Sequence, residues 1–277
     1  MILKELNGYR AHMELQGRVV LITGASRGIG RSLALALGKS GCELLLTALE
    51  KDQLASLAED ITARYGITVA WMAADLVDDS ERRRMLDWIG AQENPPDILI
   101  NNAGGGYFGR FASSRWSDIE RTLILNIHVA TLLAWELLPT LRMRPQAKIV
   151  NISSGISRLP YPGLAVYGAA KGYLSSFSES LACELAGTNV SVLCFHPGFT
   201  DTHFMSTAGM DMKRIPKLLI RTPEAVAARI VKTIKQDTTW AYSDFGSRLG
   251  VFLAGFLTRG IKTRLFKNLF WRLPDEN

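Results

Sequence analysis

Residues 18–23, R-V-V-L-I-T, lead without a break into Gly24-Ala25-Ser26-Arg27-Gly28-Ile29-Gly30, and the segment 32–37 that follows is helix-prone. A short β-branched run, a glycine turn and a helix, in that order, leave few ways for a chain to proceed. The glycines permit backbone angles closed to other residues, and they let an anionic phosphate approach a helix N-terminus, where free N–H groups and the dipole favour it. That context is the one a dinucleotide site requires. The same step then repeats. Strands are expected at 43–47, 68–73, 97–100, 148–152 and 190–195, and helices at 51–65, 82–89, from Ser117 toward Leu138, at 167–186 and at 222–235. Ser117 and Glu120 have capping-box spacing, and Thr222-Pro223-Glu224 combines an N-cap, a proline at the first position and an early acid. Strands this apolar, alternating with helices, imply a parallel sheet covered on both faces. The expectation is a single α/β domain, a Rossmann-like doubly wound sheet of about seven strands with a core over 17–235.

A second constellation lies in S-G-I-S-R-L-P-Y-P-G-L-A-V-Y-G-A-A-K, residues 154–171. Tyr167 and Lys171 are four apart where Ala169, Ala170, Leu174 and Phe177 suit a helix, so their side chains should leave the same face. A phenol with an ammonium beside it is a usable acid and base, because the cation favours the phenolate. The pattern Tyr-x-x-x-Lys alone is common, and the order of the other signals decides.

Thr23-Gly-x3-Gly28-x-Gly30, Asn101-Asn-Ala-Gly104, and Ser154 with Tyr167-x3-Lys171 stand in one order that resembles the short-chain dehydrogenase/reductase superfamily, in its compact single-domain branch. The resemblance covers roughly 17–235. It implies that Ser154 polarises a carbonyl, that Tyr167 is the general acid/base, that Lys171 holds the nicotinamide ribose and lowers the phenol pKa, and that Asn126 of L-N-I-H completes a tetrad. It also implies cofactor contacts from Thr23, Gly24, Ser26, Arg27, Gly28, Ile29 and Gly30 in the turn, and from Asp75 and Leu76 after the third strand. Further contacts are implied from Asn102, Ala103 and Gly104 after the fourth strand, from Tyr167 and Lys171, and from Pro197, Gly198, Thr200 and Thr202 after the sixth. The implied chemistry is hydride transfer between a nicotinamide and a carbonyl or secondary alcohol, without a metal. A non-catalytic dinucleotide-binding protein acting through a partner is the alternative.

The end of the second strand reads Thr47-Ala48-Leu49-Glu50 and carries neither the usual acid nor the usual arginine that choose between cofactors, whereas Arg27 resembles the basic residue of NADP-using members. NADP(H) is therefore favoured over NAD(H), with Glu50 as the objection. The segment 199–220 stands where family members place a substrate lid, and its Phe204, Met205, Met210, Met212, Ile215, Leu218 and Leu219 suit an apolar substrate.

The net charge of +6 comes from the C-terminal quarter: 213–277 holds 13 basic and 5 acidic residues. No zinc-finger spacing or RNA-binding aromatic signature accompanies it, so nucleic acid is not expected. The stretch 247–277 reads as a basic, amphipathic extension, in two short pieces because Gly250, Gly255 and Gly260 interrupt it, with Ile261, Leu265, Leu269 and Leu273 on one side. Packing in a homodimer or homotetramer and peripheral membrane contact are both compatible with it. Cys42, Cys183 and Cys194 are odd in number and scattered, and are expected to be core thiols of a reducing compartment. With 47% hydrophobic residues, no signal-like apolar stretch in 1–16 and apolar runs well short of ~20 residues, a cytoplasmic location is expected.

Overall fold

Seven parallel strands form one sheet in the order β3-β2-β1-β4-β5-β6-β7. They are β1 Val19–Thr23, β2 Glu43–Ala48, β3 Val69–Ala73, β4 Ile98–Asn101, β5 Ala147–Ile152, β6 Val190–His196 and β7 Trp240–Tyr242. The computed structural model describes residues 12–202, 220–236 and 238–270. The expected lid residues 204–219, Trp271 and Leu273 lie outside them. The helices are α1 Gly28–Lys39, α2 Lys51–Tyr65, α3 Asp79–Gly90, α4 Trp116–Leu123, α5 Val129–Arg142, α6 Ala165–Glu184, α7 Pro223–Ile234, α8 Phe245–Gly255 and α9 Arg259–Phe270.

β1 is buried over its whole length, and its residues alternate between the two faces of the sheet. Val20 and Ile22 join a cluster with Leu33 and Leu37 of α1, Leu54 and Ile61 of α2, and Ile230 of α7. Val19 and Leu21 join the opposite cluster with Met85 of α3, Leu133 and Leu141 of α5, and Val192 of β6. Each cluster seals one face, which is why the sheet is doubly covered. Two buried charges bind the layers together. Asp97 accepts from Val19 N at 2.9 Å and pairs with Arg18 and Arg144, while Lys148 Nζ donates to the carbonyls of Ile234 and Gln236, each at 2.8 Å, at the end of α7.

Three expectations need correction. The capping box at Ser117 does not form: α4 begins at Trp116, its N-cap is Arg115 without a side-chain cap, and Arg115 pairs with Asp118 instead. Cys183 is exposed on α6, because its position falls on the solvent side of that helix; only Cys42 and Cys194 are buried thiols. The continuous helical stretch Trp116–Arg142 is long and apolar enough to cross a membrane by length and composition, but its Val129, Leu133, Leu137 and Leu141 are core residues of the sheet. β7, only three residues long, completes the expected count of about seven strands, at a place for which no strand was expected.

Candidate active site

The carboxyl ends of the strands converge on one cavity of about 770 Å³. Its polar end is the turn between β1 and α1. Gly24 has φ +66°, and a Cβ there would stand 2.9 Å from Ala103 Cα; one on Gly30 would stand 2.1 Å from the Gly24 carbonyl oxygen. Only glycine fits either place. Asn102 fastens the turn to β4: its Nδ2 donates to the carbonyls of Thr23 at 2.9 Å and Gly24 at 3.1 Å, and Thr23 Oγ1 accepts from the backbone N–H groups of Asn102 and Ala103. Asn101 instead points into the sheet, where Nδ2 donates to Asn151 Oδ1 at 2.8 Å.

The turn's outer rim carries an ion pair. Glu50 accepts from Ser26 Oγ at 2.6 Å and pairs with the Arg27 guanidinium. Ala48 is buried and Leu49 is 52% exposed at the cavity mouth.

At the middle of the cavity, Ser154 begins the 3₁₀ turn Gly155–Arg158 with an extended backbone, and its hydroxyl shares a hydrogen bond with Tyr167. Lys171 follows one turn along α6 and donates from Nζ to the Ile152 carbonyl at 2.8 Å, with Nζ 5.7 Å from the centre of the Tyr167 ring. Burial pushes the phenol up to about 12 against the opposing Ser154 hydrogen bond. Burial also pushes Lys171 down to about 8. Burial thus acts on both groups, and on the phenol it works against the lowering that a neighbouring ammonium is expected to give.

Asn126 sits in a π-helical turn, Ile124–His128, between α4 and α5. Its Nδ2 donates to the carbonyls of Gly105 at 2.7 Å and Thr122 at 2.8 Å, and its buried Oδ1 has no donor among the described residues. A Cβ on Gly104 would stand 2.8 Å from that oxygen and 3.3 Å from Lys171 Nζ, so the glycine keeps open a gap that both polar atoms face.

Behind α6, Ser153 Oγ donates to the Lys171 carbonyl at 2.9 Å and lies 2.8 Å from Ser175 Oγ, which lies 3.1 Å from His196 Nε2. His196 Nδ1 donates to the Ala241 carbonyl at 3.2 Å, which leaves Nε2 as the acceptor. Burial holds this imidazole neutral, down at about 4.

Nearly all the residues expected to hold a cofactor line the cavity. Thr23 and Gly30 stand just behind it in the turn, and Asn126 stands behind Gly104. The extended residues were missed: Leu159 and Tyr161 after the 3₁₀ turn, Gly246, Ser247, Gly250 and Val251 of α8, and Phe266 of α9 also line it. One signal for α8 was present in D-F-G-S, since Asp244 caps the helix by accepting from Ser247 N at 2.8 Å. The same carboxylate accepts from Ser243 Oγ, which in turn accepts from Gly198 N at 2.9 Å, so the cap is tied to the loop after β6.

The site suits a dinucleotide on its own geometry. The first turn of α1 has no side-chain cap, the turn lacks a Cβ at Gly24 and Gly28 where it lines the cavity, and Lys171 and the orphaned Asn126 oxygen face one gap. A family model described as short chain dehydrogenase matches residues 18–213. The chain is 34% identical over 231 residues to ketoacyl reductase HetN of a Nostoc species, covering 81% of this chain and 78% of that one. It is 32% identical over 227 residues to glycine betaine reductase ATRR of Emericella nidulans, covering 80% of this chain but only 18% of that much longer protein. A solved short-chain dehydrogenase from Sphingobium yanoikuyae in complex with NADPH superposes with a TM-score of 0.77 at 27% identity, over 87% of this chain and 97% of that one.

Proposed function

The chain belongs to the short-chain dehydrogenase family of NAD(P)-dependent oxidoreductases, and from that premise we propose that it interconverts an apolar ketone and its secondary alcohol with NADP(H). The observation that carries this reading is the shared hydrogen bond of Ser154 and Tyr167 beside Lys171, on the wall of the cavity that also takes the glycine turn. The nicotinamide supplies the hydride when bound. Tyr167, kept protonated at neutral pH by burial, donates its proton to the carbonyl oxygen as that oxygen gains charge. Ser154 donates a hydrogen bond to the same oxygen and orients it. Lys171 remains largely protonated below about 8 and returns positive charge to the phenolate that forms. Asn126 Oδ1 and Lys171 Nζ are placed to hold a water that restores the proton.

Support for an apolar substrate comes from Leu159, Tyr161, Phe199, Val251 and Phe266, which line the same cavity as Ser154. Support for NADP(H) comes from Arg27, whose guanidinium stands on the cavity rim and would pair with a 2′-phosphate in a fork, and from the NADPH bound by the Sphingobium protein.

The test is NADPH oxidation with a panel of medium-chain and cyclic ketones. Tyr167→Phe is expected to lower turnover by ~10²–10⁴-fold while NADPH affinity, read by nicotinamide fluorescence, stays within about a factor of three. Retention of more than about a tenth of the turnover overturns the assignment.

A further inference from the structure

We propose that α8 and α9 seat the protein on an anionic membrane surface. In α8, Phe245, Leu249, Phe252, Leu253 and Phe256, the residue just past its end, are 75, 40, 61, 56 and 74% exposed. Their spacings of four, three, one and three residues place all five within one side of a helix. The other side carries Ser247, Gly250 and Val251, which line the cavity, and Ala254, which is buried; Gly246, at the border of the two sides, lines the cavity as well. In α9, Ile261 and Leu265 are 53 and 50% exposed on one side, while Phe266 faces the cavity from the other. Each helix therefore turns one face toward the cavity and leaves an apolar face that no described element covers. Phe252 and Phe256 meet edge to face with centroids 5.1 Å apart, so two of the largest exposed side chains form one patch.

Charge decides what covers this patch. Between Phe245 and Lys267 there are five basic residues, Arg248, Arg259, Lys262, Arg264 and Lys267, and no acidic one. A second copy meeting the patch about a two-fold axis would bring one all-positive set against another, with no carboxylate in either helix to separate them. An anionic lipid surface presents the complementary charge, and the aromatic and leucine side chains suit the boundary between headgroups and acyl chains. Helices of this kind lie in the plane of the interface. The inner faces then put the apolar end of the cavity directly behind the membrane-facing layer, with Gly246 and Gly250 as its thinnest points. A substrate dissolved in the bilayer would enter there; this last consequence rests on the ketone-reductase reading, whereas the docking does not.

The full chain is sedimented with vesicles of phosphatidylcholine alone and of phosphatidylcholine mixed with phosphatidylglycerol. Binding is expected to the mixed vesicles, much weaker to the neutral ones, and falling as salt is raised. The double variant Phe252→Glu/Phe256→Glu should lower binding by roughly tenfold or more, with melting temperature and NADPH affinity unchanged because both side chains already face out. If that variant folds poorly, Arg248→Glu/Arg264→Glu gives the same readout. Absence of binding to anionic vesicles overturns the proposal, as does equal binding to both lipids. A drop in oligomeric mass by light scattering in the variant, without any change in lipid binding, assigns the patch to a second copy and equally overturns it. Ketone turnover measured in detergent-free buffer separates a failure of docking from a failure of the enzymatic reading.

Discussion

Arg27 and Glu50 make opposite demands on a nucleotide. The guanidinium favours a 2′-phosphate and the carboxylate repels one, yet the two are paired on the rim and Ser26 holds the carboxylate from the other side. If NADP(H) is the cofactor, Glu50 competes with the added phosphate for Arg27 and repels it, so its neutralisation has a defined sign. Arg27→Ala should weaken NADPH by about 1.5–3 kcal/mol, as expected for a hydrogen bond to a charged group, and leave NADH nearly unchanged. Glu50→Gln should tighten NADPH by relieving repulsion. Titration of nicotinamide fluorescence reads both, and a loss of NADH affinity in Glu50→Gln would instead place a ribose hydroxyl on the carboxylate. His196 supplies a different kind of residue-scale effect. Its folded value of about 4 lies below the ordinary 6.5, so the unfolded chain binds a proton that the native one refuses between those limits. Stability should therefore be fully present above 6.5 and fall as pH drops toward 4, by about 3 kcal/mol at the conversion of 1.36 kcal/mol per unit. His196→Asn should flatten that part of the pH profile in urea unfolding; equal slopes in both proteins would count against it.

Between elements, the stitch at Asn102 matters more than any single strand. One side chain satisfies the carbonyls of Thr23 and Gly24 and so sets the height of the glycine turn against β4. Asn102→Ala should lower stability by about 1–3 kcal/mol through those lost partners and should weaken cofactor binding as well. A calorimetric melt together with a binding titration tests this, and an unchanged affinity would mean that β1 and α1 hold the turn unaided. This stitch was partly legible in the amino-acid sequence, because Asn-Asn-Ala-Gly follows a strand, but the division of labour between Asn101 and Asn102 was not. It depends on which residue of β4 faces the sheet and which leaves it. The strands β1 to β6 were legible for a plain reason: each is an apolar run long enough to stand out between a helix and a turn. β7 was not, since W-A-Y is too short to show a period, and its place is set by pairing of Cys194, Phe195 and His196 with Trp240, Ala241 and Tyr242. That Tyr167 and Lys171 share one face was legible from their spacing, and Ser154 joined them through the family resemblance. Their titration was not, because burial is a property of the packed cavity.

At the scale of the whole molecule, the parallel order gathers every loop of the site at one edge of the sheet, and the helices beyond β7 complete the far wall. The extension at 247–277 is thus no appendage to a finished fold, as its composition suggested, but in its described part a boundary of the cavity. The order of strands also has a consequence for how the chain is made. Arg27, Glu50, Asp75 and Asn102 all precede Tyr167, and Val251 and Phe266 come after everything else in the cavity wall. On a ribosome the nucleotide half of the cavity is therefore synthesised long before the wall that closes the substrate half. The glycine turn and its rim are thus made first, and the final helices, emerging last, add the part of the wall that carries Val251 and Phe266.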